Sequence, residues 1–394
     1  MLVTAIVFLL LLSVLVLVHE LGHFLVAKKF GIKVEEFGWG FPPKLWGKKF
    51  GETEYTINLL PIGGFVKLYG EDEAGGGRIS AGKSPVRKVK SGLERAFFTK
   101  PAWQRALVVL AGVIMNIFLA FAIFYVYFFI SGFKTTLPLL TNHTFTNANQ
   151  VNFNTENPDS VISYVMPGSP AESLEMSLPA EILEINGHMA GSREDVIKTV
   201  NNNKGKEMVI TWKEILTNQT KTGTVTPRAN PPKNEGALGV AFLPVTVVSY
   251  DTFGQKLTSG ITYSYDLFAY TVSVMKSLVS VSVEQGTPAP VGEAVSGPVG
   301  IFNAVGDILQ FPNIQERILN LLMLAGAMSI SLAFFNVLPI PALDGGRLFF
   351  IVIEMVTGKK VNARFESLAH AIGFAFLMGL IILIIFSDIF KTLR

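Results

Sequence analysis

Four long apolar segments restrict what this chain can fold into. They cover Leu2 to Phe30, Trp103 to Phe133, Ile318 to Leu338 and Leu368 to Phe386. Each reaches the length of about 20 residues that an α-helix needs to cross a hydrocarbon core of about 30 Å. The pattern predicts an α-helical polytopic membrane protein with four transmembrane helices. The composition agrees, because 49% of the residues are hydrophobic and 16% are charged, whereas a soluble domain carries more charge.

The same composition argues against several other classes. The first segment has no charged side chain from Met1 to Val18 and lacks a basic start and a small-residue cleavage site, so we do not expect a cleaved signal peptide. A formal net charge of +3, without aromatic residues interleaved among basic ones, gives no case for a nucleic-acid partner. The absence of cysteine excludes disulfides and thiolate metal ligands.

Positive charge is concentrated in two of the connections. The stretch between the first two spans is rich in Lys and Arg from Lys28 to Arg95. The short connection between the last two contains Arg347, Lys359, Lys360 and Arg364. Cytoplasmic loops carry an excess of such residues, so both connections are expected in the cytoplasm. The long polar segment from Lys134 to about Tyr250 is then extracytoplasmic, and both termini lie on one side of the membrane.

The first span contains the sequence His-Glu-Leu-Gly-His, from His19 to His23. Positions i and i+4 share one helix face, so both imidazoles can bind one tetrahedral zinc ion while Glu20 reaches a water beside it. Zinc lowers the pKa of that water, and a carboxylate can take its proton and hand it to the leaving amine. A chance match is disfavoured, because ionisable residues are costly within an apolar segment. About 18 residues of helix, roughly 27 Å, precede His19 and place the metal near the cytoplasmic face.

A zinc hydrolase needs a third protein ligand, and Asp344 is the candidate. It lies in the run NVLPIPALDGG from Asn336 to Gly346, at the matching end of the third span. The two prolines of this run break the helix and free backbone groups, which are tolerated at membrane depth only where they line protein or a cavity. Taken alone, Asp344 could instead cap the following helix, and capping is compatible with ligation.

The combination of these two motifs resembles the site-2 protease family of intramembrane zinc metalloproteases, and more closely its regulator of sigma-E protease branch. Further matches in the same order are Pro61 to Val66, Ala111 to Asn116 and Ser296 to Ile301. The resemblance implies a multi-pass protein of the bacterial inner membrane with Zn²⁺ as its cofactor. It also implies that zinc is bound by His19, His23 and Asp344, that Glu20 is the general base, and that Asn336 holds the extended substrate backbone.

Two asparagines remain open to alternatives. The side-chain amide of Asn336 offers a donor and an acceptor to an exposed peptide, but it could also stabilise the turn before the prolines. Asn116 matches the second-span motif of the family, although Val113 stands where that motif usually has proline. A role beside the active site and an interhelical hydrogen bond are both open for Asn116.

The cytoplasmic loop contains a predicted β-hairpin. Glu52 to Leu60 alternates as a strand does, and a turn signal with Gly63, Gly64 and Phe65 follows. The family implies that such a hairpin dips toward the active site, and edge strands can pair with an extended peptide. We therefore predict that Gly63, Gly64 and Phe65 help bind substrate, with a peripheral structural sheet as the alternative. Residues 74–90, rich in Gly, Lys and Arg, indicate a mobile loop against anionic lipid.

The extracytoplasmic segment resembles one PDZ domain. The familiar marks are Val-x-Pro-Gly-Ser-Pro-Ala at residues 165–171 and Ile-Leu-x-Ile-Asn-Gly at residues 182–187. Pro179-Ala180-Glu181 replaces the usual Gly-Asp pair, which favours a gate against bulky ectodomains over a reader of peptide ends. Phe253 to Val283 has mixed helical spacing with many hydroxyl residues, which suits a membrane-surface or packed helix better than a span. The expected domains are 1–30, 31–102, 103–133, 134–250, 251–316, 317–366 and 367–394.

These features predict a zinc endopeptidase that cleaves single-span membrane proteins within or near their transmembrane segment. By resemblance, the substrate is an anti-sigma factor or a leftover signal peptide whose ectodomain an upstream site-1 type protease has already shortened. Two alternatives are a PDZ-bearing membrane scaffold with a structural metal site and a transporter with a polar path. Glu20 argues against the scaffold, because a structural zinc site needs no base, and the paired zinc motifs argue against the transporter.

Overall fold

The structure is a computed structural model that describes residues 1–71, 93–153, 160–232, 235–287 and 296–392, without the side chains of Ile62, Ala363, Lys391 and Thr392. The predicted lipid-facing loop at residues 74–90 therefore lies outside the described residues. The chain forms two compact units. Unit 1 comprises Met1–Tyr127 and Met275–Arg394, and unit 2 comprises Phe128–Val274.

Unit 1 is built mainly from helices. Its long apolar helices are α1 (Leu2–Lys29), α2 (Ala102–Ile130), α6 (Ile314–Val337) and α8 (Ala363–Thr392). Two shorter helices are α5 (Pro298–Gln310) and α7 (Asp344–Thr357), and α4 (Phe253–Gln285) begins in unit 2 and ends in unit 1. Many leucine and phenylalanine side chains on the long helices are exposed, as expected where lipid rather than water surrounds them.

Side-chain contacts fix the direction of several helices in unit 1. His23 meets the carbonyl of Val108 and His19 meets Asn116, so α2 runs antiparallel to α1. Near the start of α1, the Phe8 and Phe302 rings lie 5.8 Å apart, which places α5 there. The end of α2 and all of α5 therefore lie at the same end of unit 1 as the start of α1.

A small β-sheet covers part of α1. Strands β1 (Val34–Phe50) and β2 (Thr53–Leu68) pair antiparallel, and the register joins Val34 to Leu68 and Phe50 to Thr53. Phe37 pairs with both Tyr55 and Val66, so the first half of β1 lies between the two halves of β2. The last half of β2 is consequently an edge, and it faces α1.

Unit 2 is a β-rich body with one short helix. One sheet has the strand order β10 (Gln219–Val225), β9 (Met208–Glu214), β7 (Ala180–Ile185) and β5 (Val161–Ile162), and β8 (His188–Met189) also pairs with β7. A three-stranded sheet joins β3 (Lys134–Pro138), β12 (Val245–Ser249) and β4 (Asn149–Phe153), and β6 (Tyr164–Val165) pairs with β11 (Val240–Ala241). Helix α3 (Arg193–Asn202) begins at Ser192, whose hydroxyl accepts from the Asp195 amide. The core includes Ile162, Ile182, Ile210, Trp212 and Leu238.

The structure does not confirm the predicted count of four spans. Five helices in the described part of the chain are long and apolar enough to cross a membrane, and the additional one is α4. The sequence indicates a surface or packed helix there because hydroxyl residues interrupt its apolar pattern. In the structure several of those hydroxyls bond to the helix itself, as Ser264 Oγ donates to the Gly260 carbonyl. Such back-bonding satisfies the polar groups and lets the helix continue without a break.

Candidate active site

Three side chains from two distant parts of the sequence form a compact donor cluster. His19 Nε2 lies 3.2 Å from His23 Nε2 and 2.9 Å from Asp344 Oδ2, and His23 Nε2 lies 3.1 Å from the same carboxylate oxygen. Zinc bonds of about 2.0–2.1 Å would place the ligand atoms of a tetrahedron about 3.3 Å apart. The residues therefore fit a zinc ion, and both imidazoles are buried.

Each imidazole ring is also held through its other nitrogen, Nδ1. His23 Nδ1 lies 2.8 Å from the carbonyl oxygen of Val108, so Nδ1 carries the proton and Nε2 keeps its lone pair for a metal. His19 Nδ1 lies 3.2 Å from the amide of Asn116, whose other amide atom is buried without a partner in the described chain. If the Asn116 amide is rotated by about 180°, its oxygen accepts a hydrogen bond from the protonated Nδ1 of His19. This leaves Nε2 of His19 free to bind a metal.

Two glycines let α1 and α2 approach closely at this site. A Cβ atom on Gly112 would lie 2.5 Å from His23 Nε2 and 2.7 Å from His19 Cε1. A Cβ on Gly22 would lie 2.3 Å from the carbonyl oxygen of Ala111. Any larger residue would push the helices apart or displace the imidazoles. The glycines therefore belong to the geometry of the site although they carry no chemistry.

The segment before Asp344 is folded tightly against α7. A Cβ on Gly345 would lie 2.0 Å from the Leu338 carbonyl oxygen, and one on Gly346 would lie 2.5 Å from the Ile340 carbonyl oxygen. Asp344 is the first residue of α7, and its side chain turns to the two imidazoles. A carboxylate binds zinc in its deprotonated form, so Asp344 would act as an ionised ligand there.

Glu20 lies between the donor cluster and the edge of the sheet. Its Oε2 accepts a hydrogen bond of 3.1 Å from the backbone N–H of Val66 in β2. About two turns earlier on α1, the Ser13 hydroxyl donates to the carbonyl of Pro61 over 3.0 Å. The edge of β2 therefore runs along α1 up to the residue that the sequence predicts as the base.

Comparison with known proteins now decides the family. The sequence profile described as peptidase family M50 matches residues 7–380. The chain belongs to peptidase family M50. It is 33% identical to a protein of Clostridium perfringens provisionally named a zinc metalloprotease, over 96% of each chain. It is 30% identical to the regulator of sigma-W protease RasP of Bacillus subtilis and 29% identical to the zinc metalloprotease RasP of Bacillus licheniformis, each over 98% of both chains.

The family and its named members confirm several predictions. This M50 peptidase is a zinc metalloprotease and a multi-pass bacterial membrane protein. The resemblance to the site-2 protease family is confirmed as well. Membership of a peptidase family also decides against the scaffold and transporter alternatives.

The structure places the predicted substrate-binding residues of this M50 peptidase on two sides of the site. Asn336 is half-buried in the last turn of α6, eight positions before Asp344. Gly63 and Gly64 are buried in β2 against Val16 and Leu17 of α1, and the Phe65 ring stacks on Phe41. Their part in substrate binding stays a prediction.

Two neighbours of the site give no signal in the sequence. Arg347, one turn after Asp344 on α7, donates to the carboxylate of Glu71 at 2.5 Å and so ties α7 to the chain that follows β2. His370 on α8 accepts from the backbone N–H of Ala342, two residues before Asp344. His370 stands in no metal-ligand spacing in the sequence, and a contact to a backbone N–H leaves no sequence pattern that would reveal it.

Proposed function

We propose that this zinc metalloprotease is an intramembrane endopeptidase that cleaves single-span membrane proteins within or near their transmembrane segment. The observation that carries the proposal is the cluster of His19, His23 and Asp344 with Glu20 beside it. His19, Glu20 and His23 lie on α1, a helix long and apolar enough to cross the membrane. Ionisable groups in such a helix are costly and mark function. Hydrolysis at that depth requires a substrate that is itself in the membrane.

Each residue has a defined part in the reaction. His19, His23 and Asp344 hold Zn²⁺, which when bound supplies a Lewis acid and acidifies water. Glu20 takes a proton from the attacking water as its oxygen bonds to the scissile carbonyl carbon. Glu20 then gives that proton to the amide nitrogen as the carbon–nitrogen bond breaks. The products are a carboxylic acid and an amine, with one water consumed.

The edge of β2 is the proposed place for the substrate backbone. The outward N–H of Val66 donates to Glu20, so this edge presents backbone hydrogen-bonding groups beside the base. An extended peptide that adds to this edge gains backbone hydrogen bonds. Gly63, Gly64 and Phe65 shape that edge, and the Asn336 amide contacts the peptide from the side of α6.

We further propose four crossings, with α4 packed outside the bilayer core. The end of α2 and the start of α5 lie at one end of unit 1, so the chain between them crosses an even number of times. A crossing by α4 alone would make that number odd. Moreover, α4 buries Ser259, Tyr263, Asp266 and Tyr270 rather than an apolar face, and Asp266 accepts two hydrogen bonds from Thr146.

Unit 2 is the proposed size filter. Its strands and α3 support a PDZ-like domain. The positive charge of the loops of unit 1 supports an extracytoplasmic unit 2 and a metal near the cytoplasmic face. A filter of this kind excludes bulky ectodomains, so a site-1 type protease would act first on the same substrate. A relative named regulator of sigma-W protease supports a regulatory substrate of the anti-sigma-factor type, and leftover signal peptides have the same single-span form.

The test is cleavage of a tagged single-span substrate by purified full-length protein in detergent. One substrate has a truncated ectodomain and a second has a folded one. The enzyme samples are wild type, Glu20→Gln, and wild type stripped with a chelator and then supplied with zinc. Gly379→Ala is a matched control, since a Cβ there meets no atom within 4 Å.

We expect wild type and Gly379→Ala to cleave the truncated substrate, the chelated sample to recover with zinc, and Glu20→Gln to bind zinc without cleaving. If Glu20→Gln cleaves as fast as wild type, Glu20 is not the base. If wild type cleaves both substrates equally well, unit 2 is not a size filter, but the proposed protease activity stands.

A further inference from the structure

The backbone just before Asp344 is strained. Ala342 has a φ of +81°, a conformation that glycine adopts readily but a residue with a Cβ atom does not. Ala342 lies two residues before Asp344, so its dihedral angles set the direction in which the chain enters α7. A non-glycine residue stays in this region only where its surroundings hold it there. Some contact must therefore fix Ala342.

That contact comes from α8. The N–H of Ala342 donates to Nδ1 of His370 over 2.8 Å. One turn further on α8, a Cβ on Gly373 would lie 2.5 Å from the carbonyl oxygen of Pro341 and 2.7 Å from its Cβ. His370 and Gly373 thus lie on one face of α8 and contact the segment before Asp344. His370 binds the backbone of Ala342, and Gly373 leaves space for Pro341.

The histidine at position 370 carries an energetic cost. Its ring is 7% exposed, and because Nδ1 accepts a hydrogen bond, Nε2 carries the proton. Nε2 is buried without a hydrogen-bond partner in the part of the chain that the structure describes. A buried unsatisfied donor is unfavourable. The Phe350 ring lies 5.7 Å from the His370 ring, so one neighbour of the imidazole is an aromatic hydrocarbon. The bond to Ala342 is the polar contact that histidine provides here.

We infer that His370 is a positioning residue for the metal ligand Asp344, acting through the strained backbone of Ala342. The inference rests on the proposed role of Asp344 as the third zinc ligand. His370 touches neither metal nor substrate. It holds Ala342 at positive φ, which directs the Asp344 carboxylate at the two imidazoles. Removing such supporting contacts weakens metal affinity or activity by about 10–100-fold in zinc sites.

The test uses variants that separate this hydrogen bond from packing. His370→Phe keeps an aromatic ring and removes the acceptor, whereas His370→Asn keeps an acceptor at the position of Nδ1. Ala342→Gly removes the strain, because glycine needs no partner to adopt positive φ. Zinc affinity is measured by competition with a chromophoric chelator, kcat and KM are measured with the truncated substrate, and the Tm of the metal-free protein reports folding.

We expect His370→Phe to lower zinc affinity and kcat about tenfold with KM nearly unchanged. We expect His370→Asn to stay near wild type and the double variant His370→Phe with Ala342→Gly to recover most of the loss. This recovery is the decisive result, since a glycine at 342 cannot repair a packing defect on α8. An unchanged His370→Phe, or a loss that Ala342→Gly does not recover, would overturn the inference.

If His370→Phe does not fold, the test compares the zinc affinities of Gly373→Ala and Gly379→Ala instead. Gly373→Ala should lower zinc affinity about tenfold and Gly379→Ala should not, and equal affinities would overturn the inference. Asp344→Ala separates the two proposals. If Asp344→Ala keeps zinc and activity, the proposed ligand set is wrong. If Asp344→Ala loses both while His370→Phe matches wild type, only the positioning role is wrong.

Discussion

Replacing Gly112 by alanine tests the geometry of the metal site without touching a ligand. The new Cβ would lie 2.5 Å from His23 Nε2, whereas ordinary contacts begin at 3.4 Å. The imidazole or the helix must therefore move by about 0.9 Å, several times the tolerance of about 0.2 Å on a zinc–ligand distance. A misplacement of about 1 Å can lower a rate about 10²-fold. We expect losses of this size in both zinc affinity and cleavage.

The assay compares Gly112→Ala with Gly326→Ala, which has the same nominal overlap elsewhere. A Cβ on Gly326 would lie 2.5 Å from the tip of the Phe124 ring, between α6 and α2 and away from the imidazoles. Overpacking of this kind costs about 1–3 kcal/mol. Gly326→Ala should therefore lower Tm while its zinc stoichiometry stays normal. Wild-type zinc affinity and cleavage in Gly112→Ala would refute the close approach of α2 to the two histidines.

Three further predictions concern other parts of the chain. Asn116→Ala removes the partner of His19 Nδ1 and should weaken zinc affinity in chelator competition about 10–100-fold; an unchanged affinity would contradict the amide's role. Asp266→Asn places an amide against donors of Thr146 and should lower the unfolding free energy of unit 2 by about 1–3 kcal/mol, seen as a lower Tm with normal zinc content. Arg95 and Lys28 hold the pKa of Glu52 at about 2. Glu52 is a group whose folded-state pKa lies below its unfolded value, so its stabilisation is present above about pH 4.5 and is lost toward pH 2. For a partly exposed pair we expect at most about 1 kcal/mol, and Tm should fall less between pH 5 and pH 3 in Glu52→Gln than in wild type.

The sequence predicts the chemical groups of the site better than it predicts the contacts that hold those groups in place. His19, Glu20 and His23 follow from one helical spacing, and the prolines and glycines around Asp344 mark a broken helix end at membrane depth. The structure brings Asp344 to the two imidazoles as these patterns predict. Spacing on one helix and breaks in an apolar run are local properties, which a single sequence displays directly.

The contacts that hold the ligands are not local, and the sequence does not reveal them. The Val108 carbonyl and the N–H groups of Val66 and Ala342 are backbone groups that every residue carries, so composition cannot single them out. His370 lies 28 positions from Ala342, with no spacing rule to connect them. The count of spans stays a prediction for a related reason, because hydropathy cannot tell a helix packed on a protein surface from one that crosses lipid.

The position of the cut in a single-span substrate tests the central claim most directly. Purified wild-type protein is incubated with an ectodomain-truncated substrate, and the intact masses of the products locate the scissile bond. We predict one new carboxyl terminus and one new amino terminus within or beside the apolar segment, toward its cytoplasmic end, and none with Glu20→Gln. A cut confined to the ectodomain, or the same products from Glu20→Gln, would contradict intramembrane hydrolysis by this site.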